Sequence, residues 1–311
     1  MIGDLFSAQV LLGILTSGIR LATPYLYAGI GETFSQRSGV LNLGVDGQML
    51  MGAFAGFYVV FSTGNLWLGL LAALAVGALM GLAMAFISVT LHAEQGISGI
   101  GVYLFGLGLS ELLFQETIGT VETVSGFRPL QIPVLSSIPV LGEVLFSHNI
   151  LVYGAFLLVP VAWFVLHKTT FGLNIRAVGE NPEAADSLGV SVSRIRYATV
   201  IIGGTLAGVA GASLAIDLGI FQQNLTNAQG FIAIALVYFG AWRPVGVMLG
   251  SLLYGFVNAI VLQLKTLAII PPDQSNFAAM APAIITILAL VIVARRFKAP
   301  AALTKPYSRG E

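Results

Sequence analysis

The sequence predicts an all-α membrane protein, a polytopic helical bundle, and three observations lead to this fold class. Of the 311 residues, 57% are hydrophobic and only 9% are charged, and the mean hydropathy is +0.91, a balance that soluble globular domains do not show. Apolar runs recur that are long enough to cross roughly 30 Å of hydrocarbon as helices. Runs such as "LGLLAALAVGALMGLAMAFI" (68–87) are continuously apolar, whereas the strands of a membrane β-barrel alternate apolar and polar residues.

About nine segments qualify as membrane spans, and we expect one or two of them to be interrupted helices. In chain order they cover residues 9–31, 38–62, 66–91, 96–116, 149–167, 197–217, 229–241, 245–264 and 280–294. The segment 229–241 is short for a full crossing and is also compatible with half of a broken helix. Together the segments form a single transmembrane domain over residues 1–311.

Basic residues favour the cytoplasmic side of a membrane and so orient the chain. Two main groups of Lys and Arg, one in the loop 168–196 and one in the C-terminal tail, are placed inside. Because successive spans cross the membrane in alternating directions, Arg37 and Arg243 then also lie inside and only Arg128 and Lys265 lie outside. The same alternation requires an N-terminus outside. The sequence therefore predicts a multi-pass protein with a cytoplasmic C-terminus. The first group, in the loop 168–196, is Lys168, Arg176, Arg194 and Arg196, and the second, in the C-terminal tail, is Arg295, Arg296, Lys298, Lys305 and Arg309.

The passage "SQRSGVLNLGVDGQMLMGA" (35–53) interrupts an apolar segment with glycine and polar residues. Glycine and Asn disfavour a helix interior, so we expect irregular backbone followed by a helix that restarts near Asp46. Such backbone survives at membrane depth only if it is buried in protein or faces a watery cavity. Asn42, Asp46 and Gln48 are therefore candidates for a pathway or gate. The alternative is a tightly packed helix whose polar groups satisfy one another.

Charged residues within or beside the spans are functional candidates, because a charge at mid-membrane costs roughly 3 kcal/mol or more. A proton-coupled carrier needs a relay, but these residues lie on separate segments. We therefore expect structural roles, such as pairing of Arg20 with Glu32 or a carboxylate that caps a helix. An ion-coupled secondary transporter that uses Asp46 or Glu111 stays as an alternative. The set is Arg20, Glu32, Asp46, Glu111, Glu116 and Asp217.

The chemistry of soluble enzymes finds little support in the sequence. No cysteine is present, which excludes disulfides and Cys-based metal sites. The three histidines, His92, His148 and His167, lie on different loops, so neither a metal site nor a catalytic triad can be assembled. No GxxxxGK[ST] phosphate loop occurs. We expect no catalytic residue and no bound cofactor, with any energy from ATP supplied by a partner.

Two stretches predicted to lie outside, 117–148 and 265–279, contain prolines and cannot be plain helices. The first is either an ordered connector on the membrane surface or a docking surface for an extracytoplasmic partner. Its charged residues Glu122, Arg128 and Glu143 are the candidates for docking.

The passage "GENPEAADSLGVSVSRIR" (179–196) is well charged in an otherwise apolar chain. Asn181 is a good N-cap, Pro182 fits the first helical position, and Glu183 complements the positive helix start. Gly189 can end the helix in the left-handed conformation. The spacing predicts a helix of roughly two turns.

This small helix is either an interfacial connector or a coupling element that inserts into a groove on a cytoplasmic motor. In the second case its small face, Ala184 and Ala185, approaches the partner closely.

These residues carry a resemblance to a known family. "AVGENPEAADSLGVSVSRIRY" (177–197) resembles the cytoplasmic coupling loop of permease subunits of bacterial ABC importers in the ribose and branched-chain amino acid class. "RSGVLNLGVDGQMLMGA" (37–53) and "IPVLSSIPVLGEVLF" (132–146) are similar to further signatures of its nucleoside and simple-sugar branch. The similarity runs from about residue 20 to 295. The coupling-loop pattern is matched by Gly179, Asn181, Pro182, Ala184, Ala185, Gly189 and Val190.

The resemblance implies a permease of type II importer-like fold in the bacterial cytoplasmic (inner) membrane, without catalysis of its own. It would pair with a second, homologous permease, with two cytoplasmic ATPases that bind ATP and Mg, and with an extracytoplasmic binding protein or lipoprotein. No nucleic-acid partner is implied. Nucleosides lead over simple sugars and branched-chain amino acids by branch resemblance only. The chain lacks the extra N-terminal span of ribose-type members, which agrees with an N-terminus outside.

Two other classes stay open at this point. A secondary transporter would need no soluble motor, and a packing or assembly subunit would have no pathway at all.

Overall fold

The computed structural model describes residues 8–131, 133, 135–136, 138–271, 274–294 and 298–308. Helices make up nearly all of its regular structure, which confirms the all-α prediction. A π-helical turn, Phe86–Thr90, continues α3, and two short strands, β1 (Leu130–Gln131) and β2 (Ser147–His148), pair antiparallel. The helices are α1 (Ala8–Arg37), α2 (Val45–Thr63), α3 (Leu66–Ala85), α4 (Gln95–Thr117), α5 (Leu141–Phe146), α6 (Ile150–Lys168), α7 (Thr170–Glu180), α8 (Pro182–Ser187), α9 (Val192–Leu218), α10 (Gln229–Phe239), α11 (Pro244–Thr266), α12 (Ser275–Ala279) and α13 (Ala281–Ala294).

Seven of the described helices are long and apolar enough to cross a membrane: α1, α2, α3 with its π-helical turn, α4, α6, α9 and α11. Each of the nine predicted segments contains a helix, but α10 has only 11 residues and α13 only 14. At 1.5 Å per residue, α10 is roughly 16 Å long, about half of a crossing. The segment 229–241 therefore holds a half-length helix, the alternative that its short apolar run left open.

The centre of the bundle is α9, because its glycines let other helices come close. A Cβ atom at Gly208 would meet the backbone of α3, with Gly77 Cα 2.9 Å away. On another side, a Cβ atom at Gly211 would lie 2.9 Å from the Ala53 nitrogen of α2. Helix α1 packs along a third side of α9. Small residues are the usual means by which membrane helices approach closely, since lipid gives apolar side chains little reason to associate.

Residues 38–44 are a non-helical segment inside the bundle. After α1 ends at Arg37, the chain turns through Gly39, whose φ is 92°, and continues irregularly until α2 begins at Val45. Val40 is fully buried within this segment. The prediction of an irregular stretch followed by a helix that restarts near Asp46 is confirmed.

Residues 219–228 are a second non-helical segment, which links α9 to α10 and is buried only in part. The first of them accepts a hydrogen bond from the Val124 N–H at 2.8 Å. Phe221 is fully buried among side chains of α2 and α4. Thr226 then reaches the Asp46 carboxylate at the start of α2. Phe221, Leu225 and Thr226 are the buried positions of this segment, whereas residues 222–224, 227 and 228 are exposed.

The basic regions predicted to be cytoplasmic lie together at one end of the bundle, which we call the basic end. Arg196 donates from Nε to the Ser38 carbonyl at 3.2 Å and from Nη1 to the Lys305 carbonyl at 3.0 Å. These bonds join the start of α9, the end of α1 and the C-terminal tail (residues 298–308). The opposite end carries the connector (residues 118–149) and is called the connector end. The N-terminal residues 1–7 and the tail residues Arg295, Arg296 and Arg309 lie outside the described residues.

The close packing of α3 on α9 can be tested with Gly208→Val. The added side chain would meet backbone atoms of α3, which cannot rotate away, and overpacking of this kind costs about 1–3 kcal/mol or more. We expect a lower midpoint of thermal unfolding in detergent than for Gly108→Val, the matched control, where an added Cβ meets nothing within 4 Å. Equal stability of the two variants would contradict this packing.

Candidate functional site

Helix α8 forms as its sequence signals predict. The Asn181 Oδ1 atom accepts a hydrogen bond from the Ala184 N–H at 3.0 Å, and Pro182 occupies the first helical position. The helix ends after Ser187, and Gly189 follows with a φ of 87°. Glycine adopts this left-handed conformation without steric cost. Local sequence signals alone therefore account for where α8 begins and ends.

The two alanines of α8 face in different directions, which corrects the expectation that both approach a partner. Ala185 is only 3% exposed and packs against Val178 and Val192 of its own loop. The outward surface carries instead a large apolar side chain, Leu188, which is 84% exposed. The exposed residues of α8 and its C-terminal cap are Glu183, Ala184, Ser187 and Leu188.

Gly179 and the C-terminal tail tie the α8 loop to the basic end. A side chain at Gly179 would collide with the Arg37 carbonyl oxygen at the end of α1, so only glycine permits this approach. The Ala302 N–H donates to the Gly179 carbonyl at 2.9 Å, and the Thr304 N–H donates to the Gly39 carbonyl at 3.2 Å. The tail therefore bridges the α8 loop and the turn after α1.

Sequence reasoning missed the part that Arg196 plays in this arrangement, because it counted the residue only as a cytoplasmic charge. Arg196 is 2% exposed, and its forked guanidinium spans two carbonyls. No local pattern could reveal the contact, since Lys305 lies 109 residues away.

Asn42 and Gln48 belong to a buried polar network beside the start of α2. The Asn42 N–H donates to Glu32 Oε1, and its Nδ2 donates to Gln48 Oε1, both at 3.0 Å. Gln36 Nε2 donates to the same Glu32 oxygen at 3.0 Å, while Gln36 Oε1 accepts from Trp242 Nε1 at 2.7 Å. All five residues are buried. These bonds are of the kind that the packing alternative requires, although Glu32 Oε2 and Gln48 Nε2 are buried without a partner among the described residues.

Asp46 joins the starts of two helices. It lies in the first turn of α2, and its carboxylate accepts the Gly230 N–H from the first turn of α10 at 2.8 Å. The Thr226 hydroxyl donates to its other oxygen at 3.1 Å. Helix starts carry unpaired N–H groups and partial positive charge, so one carboxylate stabilises both. The structure thus shows Asp46 capping α10 by a hydrogen bond while its charge lies in the first turn of α2, with its side chain fully buried.

The predicted pairing of Arg20 with Glu32 is wrong. Helix α1 runs unbroken through Pro24, so the two residues lie about 18 Å apart along its axis. Arg20 Nε lies instead 3.5 Å from Asp217 Oδ2 of α9, towards the connector end. Asn149 Nδ2 donates to the other Asp217 oxygen at 3.2 Å. Arg20 is also exposed in this chain rather than buried.

The described residues of the connector make two short antiparallel pairings. Strands β1 and β2 hold it together, and Thr123 forms an antiparallel bridge with Ile220 beyond the end of α9. Glu122, Arg128 and Glu143 are all exposed on it. Their role in docking stays a prediction.

The histidines make separate structural contacts. His92 Nε2 lies 3.0 Å from the Tyr307 carbonyl, His148 Nε2 lies 2.8 Å from the Val144 carbonyl, and His167 Nδ1 lies 3.0 Å from the Trp163 carbonyl. Burial lowers the pKa of His148 on the connector. Across the part of the chain that the structure describes, no group of three or more His, Asp or Glu could hold a metal ion.

Known proteins resemble this chain over nearly its whole length. The family model described as "Branched-chain amino acid transport system / permease component" matches residues 14–294. A putative glucose ABC transporter permease of Haloferax volcanii is 39% identical over 89% of this chain and 85% of its own length. A guanosine ABC transporter permease of Bacillus subtilis is 36% identical, over 97% of this chain and 98% of its own. A nucleoside ABC transporter permease of Lactococcus lactis is 35% identical, over 93% and 94%.

In each of these three organisms a second permease also matches, at 28%, 27% and 24% identity respectively. No solved structure matches the chain.

The capping position of Asp46 can be tested with Asp46→Asn. The amide oxygen can still accept the Gly230 N–H and its NH2 group can donate to the Thr226 hydroxyl, but the negative charge beside the starts of α2 and α10 is lost. A charge at a helix start contributes about 0.3–1 kcal/mol, and up to about 2 kcal/mol where it is partly buried. We expect a lower thermal midpoint and a lower yield of assembled protein, with the pH dependence of solute uptake unchanged. Glu116→Gln, at an exposed acid near the end of α4, is the control. Uptake driven by a pH gradient without ATP, and abolished by Asp46→Asn, would make Asp46 a proton carrier instead.

Proposed function

The chain belongs to the permease-component family of branched-chain amino acid transport systems, and from this we propose that it forms half of the membrane pathway of an ATP-driven importer of nucleosides. ABC permeases of this kind are multi-pass inner-membrane transport subunits, not enzymes, and they work with an ATPase and a substrate-binding protein. The main structural support for this proposal is the geometry of α8. It is a firmly capped short helix that presents an exposed leucine from a polar loop at one end of an apolar bundle.

Nucleosides are the solute class that we favour. Two permeases named for guanosine and for nucleosides align with 97% and 93% of this chain. A simple sugar is the second candidate, because the putative glucose permease shares 39% identity. The support for branched-chain amino acids as solutes comes from the family description alone. The capping bonds of Asp46 argue against an ion-coupled carrier that uses this acid.

We propose that the second permease of the complex is a different, homologous chain. Haloferax volcanii, Bacillus subtilis and Lactococcus lactis each have two permeases that match this chain. The better match in each organism shares 39%, 36% and 35% identity with the chain, respectively. The weaker match shares 28%, 27% and 24%. An importer built from two copies of one permease would need only one such chain in each organism. The pattern therefore supports a heteromeric pair.

The proposed orientation places the basic end in the cytoplasm and the N-terminus outside, as the distribution of Lys and Arg favours. Helix α8 would then dock in a groove of the ATPase, with Leu188 as its apolar anchor. ATP and Mg would be bound by that partner, and this chain would contribute no catalytic group. The connector, with Glu122, Arg128 and Glu143 exposed, would receive the binding protein or lipoprotein.

The docking of α8 can be tested with Leu188→Asp in the assembled importer. An unpaired carboxylate buried in the groove costs about 1–3 kcal/mol or more, roughly tenfold or more in affinity. Because Leu188 is 84% exposed in this chain, the permease itself should fold normally. We expect normal membrane expression and thermal midpoint, but loss of the co-purified ATPase and of ATP-dependent guanosine uptake.

Ser191→Asp is the charge-matched control, at the exposed N-cap of α9 where an aspartate is well tolerated. Ala185→Glu is unsuitable, since Ala185 is packed inside the loop. Full ATPase recovery and full uptake by Leu188→Asp would reduce α8 to an interfacial connector.

A further inference from the structure

We propose that a polar pocket behind the Arg20–Asp217 ion pair binds one ring of an uncharged solute on its way through the permease. The inference rests on the proposed function, because it assigns a solute subsite within that pathway. The evidence for this subsite is a pair of adjoining cavities at the connector end, together with the polar groups that line them.

The two cavities meet at the ion pair. The larger one, here the vestibule, has a volume of about 560 Å³ and is lined by connector residues including Arg128. The smaller one, here the inner pocket, has a volume of about 130 Å³ and lies among α1, α9 and α11. Arg20, Asn149 and Asp217 line both. The pair therefore stands between the vestibule and the inner pocket.

The walls of the inner pocket offer hydrogen bonds without a net charge. Gln229 lines it, and its Oε1 atom is buried without a hydrogen-bond partner among the described residues, so a solute reaches this atom when the amide turns towards the pocket. Asn258 adds an amide, and the Ser213 hydroxyl, which donates to Ala210, keeps lone pairs free to accept. Arg20 and Asp217 compensate each other at the mouth. A buried acceptor without a donor is unfavourable, so the pocket suits an uncharged solute that brings O–H or N–H groups.

The volumes limit the size of what enters. The inner pocket, at about 130 Å³, is slightly smaller than an apolar cavity of about 150 Å³ that holds one benzene molecule, so it takes no more than a single ring. The vestibule has room for the remainder of a larger molecule. A nucleoside, with one sugar ring and one base, fits this division, and so does a simple sugar that enters alone.

The ion pair at the mouth is weak enough to open. Arg20 approaches Asp217 through Nε alone, at 3.5 Å, and the two side chains are 50% and 26% exposed. Partly exposed pairs of this geometry contribute little stability. Asn149 holds Asp217 in place, so Arg20 is the group that can move aside for the solute.

The first test uses the absence of cysteine from the chain. In the assembled importer, Ser213→Cys places a single thiol in the inner pocket, and its reaction with an impermeant thiol reagent added from outside is followed on the permease. Guanosine or glucose, well above its dissociation constant, should slow the reaction about tenfold. Ser62→Cys, at an exposed position near the end of α2, should react without protection. No protection by either solute, or protection by leucine only, overturns the proposal.

The second test compares Gln229→Leu with Gln115→Leu, an exposed glutamine on α4. Removing the pocket acceptor should reduce guanosine uptake at low concentration about tenfold, with the ATPase still co-purifying. If Gln229→Leu leaves uptake unchanged while the unsubstituted importer transports guanosine, the proposal of a solute pocket is wrong but the proposed function stands. If the unsubstituted importer shows no ATP-driven uptake of guanosine or glucose, the proposed function fails and this inference fails with it.

Discussion

Backbone N–H groups inside an apolar bundle must find acceptors within the protein, and this constraint governs the centre of the structure. Residues 38–44 are non-helical, yet they lie inside the bundle. A membrane interior offers no water to satisfy their N–H groups. Glu32 and Gln95 supply acceptors to the N–H groups of Asn42 and Leu41, and Asp46 supplies one to Gly230 at the start of α10. The starts of α2 and α10 are fixed by these bonds.

One pair of helices links the two ends of the molecule. Helices α1 and α9 pack against each other. The hydroxyls of Ser38 and Thr199 lie 2.7 Å apart at the basic end, and Arg20 meets Asp217 towards the connector end. Along α1 these contacts are separated by roughly 27 Å. The basic end and the ion pair at the mouth of the inner pocket are therefore joined by one continuous pair of helices.

The sequence was most informative where structure is set locally. The caps of α8 and the glycine and asparagine interruption before Asp46 act within a few residues of the elements they define, so both were predicted. The family resemblance in the coupling loop also rests on a short pattern of this kind. By contrast, the inward face of Ala185 depends on Val178 and Val192, which the loop folds against it.

Contacts between distant parts of the chain could not be read from the sequence. Asp46 meets Gly230 across 184 residues, and Arg196 meets Lys305 across 109. The partner of Arg20 was mistaken for the same reason, since the acid nearest in sequence lies too far along a continuous helix.

The central claim is that buried side-chain acceptors hold the irregular backbone inside the bundle, and amide hydrogen exchange of the detergent-solubilised chain tests it directly. The account predicts that the amides of Leu41, Asn42 and Gly230 exchange as slowly as those in the middle of α9, although Leu41 and Asn42 are not helical. Exchange at these amides as fast as in the exposed stretch 120–123 of the connector would contradict it.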